Sequence, residues 1–250
     1  MSHHARSLML LAALAMALAG CDQKSPEATS PDGGTGLPKT GTYRILALGD
    51  SYTIGESVPE SERWPVQFAE RLRRRGVDAG EPQIVARTGW TTEELSAAID
   101  AARPQGPFDC VTLLIGVNNQ YRGRGVEEYR TQFAALLDRA IGFAGEAGKV
   151  VVVSIPDYGV TPFGQAERER IGHEADAFNS VNREETAKRK AVYVDITPVS
   201  RGGTTRPSLH ADDGLHPSGE QYAAWADLVA AAIPVTGNGP ATRSAPRGYH

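Results

Sequence analysis

Tyr43-Arg44-Ile45-Leu46-Ala47-Leu48 runs directly into Gly49-Asp50-Ser51-Tyr52-Thr53-Ile54-Gly55. A short apolar run closed by glycine reads as a buried strand ending in a turn. The same alternation then repeats. Trp64, Phe68 and Leu72 recur at helical spacing, with Pro65 suited to a first turn and Gly76 to a stop. Gln83 to Ala86 is a second strand, and Thr91 with Glu94 forms a capping-box pattern ahead of Leu95, Ala98, Ile99 and Ala102. Cys110 to Ile115 is a third strand, followed by Phe133, Leu136, Leu137 and Ala140 at helix period. Val150 to Ile155 is the fourth strand, a long polar helix spans 165–189, and Ala191 to Val194 is the fifth strand. A last helix begins near Pro217, with Tyr222, Trp225, Ala226, Val229 and Ile233 on one face. Strands this apolar, alternating with helices, predict an α/β domain whose parallel sheet is covered on both faces.

The flanks differ from this core. Leu8 to Leu18 is apolar, preceded by Arg6 and closed by Leu18-Ala19-Gly20-Cys21. The run is short of the ~20 residues that span a bilayer but suits a secretory signal. Its end resembles the bacterial lipobox, in which cleavage precedes a cysteine that is then lipidated. Residues 1–20 are thus expected to be a lipoprotein signal, Cys21 the lipid-bearing residue and 21–42 a flexible tether rich in Pro, Gly, Ser and Thr. The domain is expected at 43–235 and a disordered tail at 236–250. Export and anchoring to a bacterial membrane, facing the periplasm, follow from the lipobox. Asp22 resembles an inner-membrane retention signal, a rule that does not hold in every bacterium.

The 250 residues carry a formal net charge of −4, with 40% hydrophobic and 22% charged residues. That composition belongs to a folded domain and lacks the basic footprint of nucleic-acid binding. Arg71, Arg73, Arg74 and Arg75 read as a solvated helix end. Two cysteines make no disulfide framework, and Cys110, inside an apolar run, reads as a small core residue.

Ligands of parallel α/β sheets bind at the carboxyl ends of the strands. After the first strand comes Ser51, after the second Gly89, and after the third Gly116-Val117-Asn118-Asn119; Asp213-Gly214-Leu215-His216 precedes the last helix. These groups suit acyl transfer. A serine hydroxyl needs an imidazole to take its proton, and the imidazole needs a carboxylate to fix its tautomer. Ser51 is expected to be the nucleophile, His216 the base and Asp213 the orienting acid. The N–H groups of Ser51 and Gly89, with the Asn118 amide, are the candidate oxyanion donors.

Taken together, Gly49-Asp50-Ser51 with Gly55, Gly89, Gly116-x-Asn118 and Asp213-x-x-His216 resemble the SGNH hydrolases, also called GDSL-type lipases or acylhydrolases. The resemblance covers about 43–235. It implies a flavodoxin-like three-layer α/β/α sandwich with a five-stranded parallel sheet, and a serine esterase that needs no metal or cofactor. It implies the residue roles just given. Two positions depart from the common pattern: Asn119 stands where many members have Asp, and Tyr52 where many have Leu. Thr53 breaks the Gly-x-Ser-x-Gly elbow, which argues against the α/β-hydrolase fold.

Blander readings exist for each group. Ser51 could cap a helix, Gly89 could serve a turn, Asn118 an Asx-turn and Asp213 a helix start. His210, Asp212, Asp213 and His216 cluster, but without diagnostic ligand spacing. Asp50 reads as a structural group beneath the nucleophile. Trp90, Tyr121, Arg122, Tyr158 and Phe163 either line an acyl or alcohol pocket or pack as loop residues. The Gly- and Thr-rich stretch 201–209 reads as mobile and placed to overhang the site. The expected function is a lipid-anchored serine ester hydrolase acting on a small-molecule, lipid or glycan ester. The alternatives are an O-acyltransferase or deacetylase of envelope glycan, and a non-catalytic binding lipoprotein.

Overall fold

The computed structural model describes residues 41–234. The signal, Cys21, the tether up to residue 40 and the tail lie outside the described residues. Thr42, placed at the end of the tether, is held by hydrogen bonds from its N–H and hydroxyl to the Asp78 carboxylate.

Five strands, β1 (Ile45–Gly49), β2 (Gln83–Ala86), β3 (Cys110–Leu114), β4 (Val150–Val153) and β5 (Val192–Val194), form one sheet in the order β2-β1-β3-β4-β5. All four pairings are parallel. The inner strands β1, β3 and β4 are buried along their whole length, whereas the edges β2 and β5 are partly open. That is why the inner runs are almost wholly apolar, Thr112 of β3 excepted. Cys110 opens β3 in the core, where burial pushes its thiol up to about 12.

Among the described residues eight α-helices accompany the sheet: α1 (Ser51–Ile54), α2 (Trp64–Arg74), α3 (Thr92–Ala102), α4 (Val117–Tyr121), α5 (Val126–Ala144), α6 (Arg168–Arg189), α7 (Thr197–Arg201) and α8 (Gly219–Ala232). Right-handed crossovers place α2 on one face and α3, α5 and α6 on the other. Accordingly α5 packs on α3 and α6, and α8 packs on α2. Trp64, Phe68 and Leu72 of α2 and Tyr222, Trp225 and Val229 of α8 are fully buried. This is the α/β/α sandwich that the resemblance implies. The capping box at Thr91 and Glu94 is present.

Several expectations need correction. The last helix starts at Gly219, because Ser218 caps it and Pro217 instead pairs with His210 in a short bridge. The long helix starts at Arg168, after a single 3₁₀ turn at Gln165–Glu167. Three of the clustered arginines are not a solvated end. Arg71 donates to the Ala223 carbonyl at 2.9 Å, Arg73 to those of Ala79 and Gly80 at 2.6 and 2.9 Å, and Arg75 to that of Ile233 at 3.2 Å. Ala79 and Gly80 are loop carbonyls and Ile233 caps the end of α8, and a guanidinium on a long stem reaches such carbonyls across the packed surface. The 201–209 stretch is built from turns hydrogen-bonded to α8 rather than an open loop. It forms 3₁₀ turns at Gly202–Thr204 and Pro207–Leu209, and buried Leu209 takes Gln221 Nε2 on its carbonyl at 2.6 Å.

Candidate active site

The strand order reverses direction at β1 and β3, so the crevice past their carboxyl ends is where such sheets bind ligands. A cavity of about 190 Å³ opens there, lined by Ser51, Tyr52, Thr88, Gly89, Val117, Asn118, Tyr121, Tyr158, Phe163, Leu215 and His216. Ser51, Gly89, Asn118 and His216 therefore meet in one space from four separate segments. Asp213 stands behind His216.

The Asp213–His216 turn is built from its own backbone. Asp213 Oδ1 accepts the N–H groups of Leu215 and His216, both at 2.9 Å. Its Oδ2 lies 2.6 Å from His216 Nδ1 and also accepts the Ser57 hydroxyl at 2.6 Å. Burial alone would raise the Asp213 carboxyl; these hydrogen bonds from Ser57, His216 and Leu215 outweigh it and hold the group well below the usual carboxylate range. The imidazole is buried, and the Tyr52 ring leans on it with centroids 5.1 Å apart. Tyr52, where relatives in the resembled family often carry Leu, thus walls both the cavity and the histidine. With Nδ1 committed to Asp213, Nε2 is the nitrogen left for the cavity. Among the described residues no hydrogen bond joins Ser51 to His216; such pairs commonly tighten only in the substrate complex.

Ser51 opens α1 directly after Asp50, which caps that turn by accepting the Tyr52 N–H at 3.0 Å. Asp50 is fully buried and bears out its reading as a support. Burial raises its carboxyl to about 7, against the Tyr52 N–H and the Asn118 amide that favour the charged form. Its folded value lies above the ordinary 3.8. Ionising it therefore costs the fold stability as pH climbs from about 4 to about 7, and the cost is complete above that window. Relative to Asp50→Asn, the wild type is expected to lose about 2–4 kcal/mol of unfolding free energy between pH 4 and 8, read from urea melts. A pH-independent difference between the two proteins contradicts this.

Asn118 sits on α4 and aims its amide inward: Nδ2 donates to the Trp90 carbonyl at 3.0 Å and reaches Asp50 Oδ2 only at 3.4 Å. The second contact is long and readily exchanged for a better acceptor. Gly116 adopts φ 132°, and a Cβ there would lie 2.6 Å from the Tyr129 hydroxyl oxygen, so both conformation and space demand glycine. Asn119 turns away from the cavity. It binds Thr92 twice, accepting the N–H at 3.0 Å and donating to Oγ1 at 2.7 Å, and so fastens the start of α3.

Gly89 has φ 85°, and its carbonyl accepts Arg122 Nη2 at 2.6 Å. Arg122 therefore buttresses the turn rather than lining the cavity, and Trp90 likewise lies outside the lining. Tyr121, Tyr158 and Phe163 do line it. Their rings cluster with centroids 6.2–6.4 Å apart, and Tyr121 and Phe163 are the most exposed large apolar side chains among the described residues. Residues 201–209 are not in the lining, so the expected overhang is not found. Two functional contacts have no sequence signal: Arg122 on Gly89, and Ser57 on Asp213 across 156 positions.

The GDSL-like lipase/acylhydrolase family model matches residues 47–224. No curated protein matches the sequence. Among solved structures, the chain is similar to the lipase/acylhydrolase from Enterococcus faecalis, with TM-score 0.59 and 21% identity over 76% of this chain and 94% of that one. Esterase EstA from Pseudoalteromonas sp. matches with TM-score 0.58 and 18% identity over 76% and 96%. Axe2, an acetylxylan esterase from Geobacillus stearothermophilus, matches with TM-score 0.58 and 16% identity over 80% and 97%. At these identities the structural likeness establishes the shared fold.

Proposed function

The chain belongs to the GDSL-like lipase/acylhydrolase family and is a hydrolase of ester bonds, and from that premise we propose that it works through an acyl-enzyme on Ser51. Ser51 Oγ attacks the ester carbonyl carbon while His216 Nε2 takes its proton. The carbonyl oxygen becomes the oxyanion, met by the N–H groups of Ser51 and Gly89 and by the Asn118 amide, which gives up its long contact to Asp50. The alcohol leaves with the proton from His216. Water, deprotonated by His216, then attacks the acyl group, and collapse returns the acid and the free serine. Asp213 stays ionised throughout, keeping the proton of neutral His216 on Nδ1.

The observation that carries this reading is the 2.6 Å Asp213–His216 contact, placed so that the imidazole shares one cavity with Ser51, Gly89 and Asn118. Hydrolysis of short-chain nitrophenyl esters, with fluorophosphonate labelling of Ser51, tests it. Replacing Asn118 with Ala removes one oxyanion donor and is expected to lower kcat about 10²–10³-fold; an undiminished kcat removes Asn118 from the reaction.

The lipobox at Leu18 to Cys21 supports the further reading that the enzyme is exported and anchored through Cys21. Several acyl chains, each CH₂ contributing about 0.8 kcal/mol, suffice to hold a domain on a membrane. Labelled palmitate is expected to enter the wild type and not Cys21→Ser in a bacterial host; equal labelling of both rejects the assignment.

A further inference from the structure

We propose that Ser57 is a positioning residue for the acid–base pair, acting through Asp213; this rests on the mechanism above. Ser57 is a non-glycine residue in the left-handed region, at φ 66°. Such a backbone is uncommon for a side-chain-bearing residue; Arg103 and Lys190 adopt it as helix C-caps, whereas Ser57 lies in the loop after α1 and ends no regular helix. Its surroundings are specific. Every other donor to Asp213 comes from within the 213–216 turn: the N–H groups of Leu215 and His216 on Oδ1, and His216 Nδ1 on Oδ2. Among the described residues, the Ser57 hydroxyl, 2.6 Å from Oδ2, is the one donor from another part of the fold.

That part of the fold is the nucleophile's own loop. Gly55 ends α1 in the left-handed conformation, and the Glu56 N–H donates to the Ser51 carbonyl at 3.0 Å. The Glu56 carboxylate also accepts the hydroxyl of Thr88, the residue before Gly89. Residues 55–57 thus form a strap with three attachments: to Ser51, to the Gly89 loop and to the acid–base turn. Oδ1 is held by its own turn, and the Ser57 hydroxyl adds a hold on Oδ2 from outside it, so the strap ties the orientation of Asp213, and hence of His216, to Ser51. Ser57 does not line the cavity, so its contribution falls on the chemical step and not on substrate binding.

Ser57→Ala, Ser57→Gly and Ser57→Asn, with Ser51→Ala as reference, test this by kcat and KM on nitrophenyl acetate, by fluorophosphonate labelling rate and by thermal midpoint. The Asp213–Ser57 contact is exposed, and water can replace the hydroxyl in part. Ala and Gly are therefore expected to lower kcat about 3–30-fold, slow labelling in proportion and leave KM within about twofold. Asn, which tolerates φ > 0 and carries a donor, is expected to recover most of the rate. The glycine variant relieves the backbone, so a slow alanine variant beside a wild-type glycine variant assigns the effect to strain and overturns the proposal. Wild-type kcat in both, or a change confined to KM, also overturns it. Ser51→Ala retaining turnover would instead sink the mechanism itself; an inactive Ser51→Ala beside fully active Ser57 variants sinks only the role of Ser57.

Discussion

Ser51→Ala is expected to lower kcat on a short-chain nitrophenyl ester by about 10⁴–10⁶, leaving a residue of rate above that of water. The reasoning is structural as well as chemical. Ser51 is the first residue of α1, packed between buried Asp50 and Tyr52, and it lines the cavity together with His216. Removing Oγ deletes the attacking atom while leaving the β1–α1 backbone, which Asp50 caps, in place. Melting temperature is therefore expected to stay within a few degrees of wild type, and fluorophosphonate labelling to vanish. Turnover at the wild-type rate in this variant rules out the acyl-enzyme.

Asp213→Asn is expected to lower kcat by about 10³-fold, and the hydrogen-bond pattern says how. Oδ1 accepts two backbone N–H groups, from Leu215 and His216. The amide oxygen of Asn satisfies both, so it takes the Oδ1 position. The amide nitrogen is then forced opposite His216 Nδ1, where the carboxylate oxygen had been. It donates to Nδ1, which drives the imidazole proton to Nε2, the atom that accepts the proton of Ser51 in the proposed mechanism. The turn survives and the base is in the wrong tautomer. The side chain of Asp213 is 31% exposed, which places the loss below that of a fully buried acid. A loss under about tenfold would show that the carboxylate does not govern the imidazole.

Both predictions depend on contacts of different legibility. The Asp213–His216 pair is readable because its members are three residues apart in one turn, so local spacing carries the geometry. The strand ends are readable because inner parallel strands must be apolar on both faces, and the polar residues that follow them stand out. Asp50 is legible as a support, although its raised carboxyl follows from complete burial, which only packing reveals. Arg122 looks like a pocket residue by position, yet its guanidinium reaches back to the Gly89 carbonyl. Arg71, Arg73 and Arg75 look like a charged helix end, yet they reach across to backbone carbonyls, one within α8 and one just past its end. In each case a long flexible side chain chooses between water and a backbone carbonyl, and the choice is made by how separate segments pack.

The alternation of apolar runs with helical periods was enough to determine a parallel α/β sheet, because burial on two faces leaves a direct imprint on composition. The order of Ser51, Gly89, Asn118, Asp213 and His216 along the chain was enough to mark the family. What tertiary structure alone decided is how those groups are held: the Tyr52 ring against His216, the Asn118 amide shared between Trp90 and Asp50, and the Ser57 hydroxyl on Asp213. These are contacts between segments whose separation in sequence imposes no periodicity, so their energy shapes the site without leaving a pattern in the sequence to read.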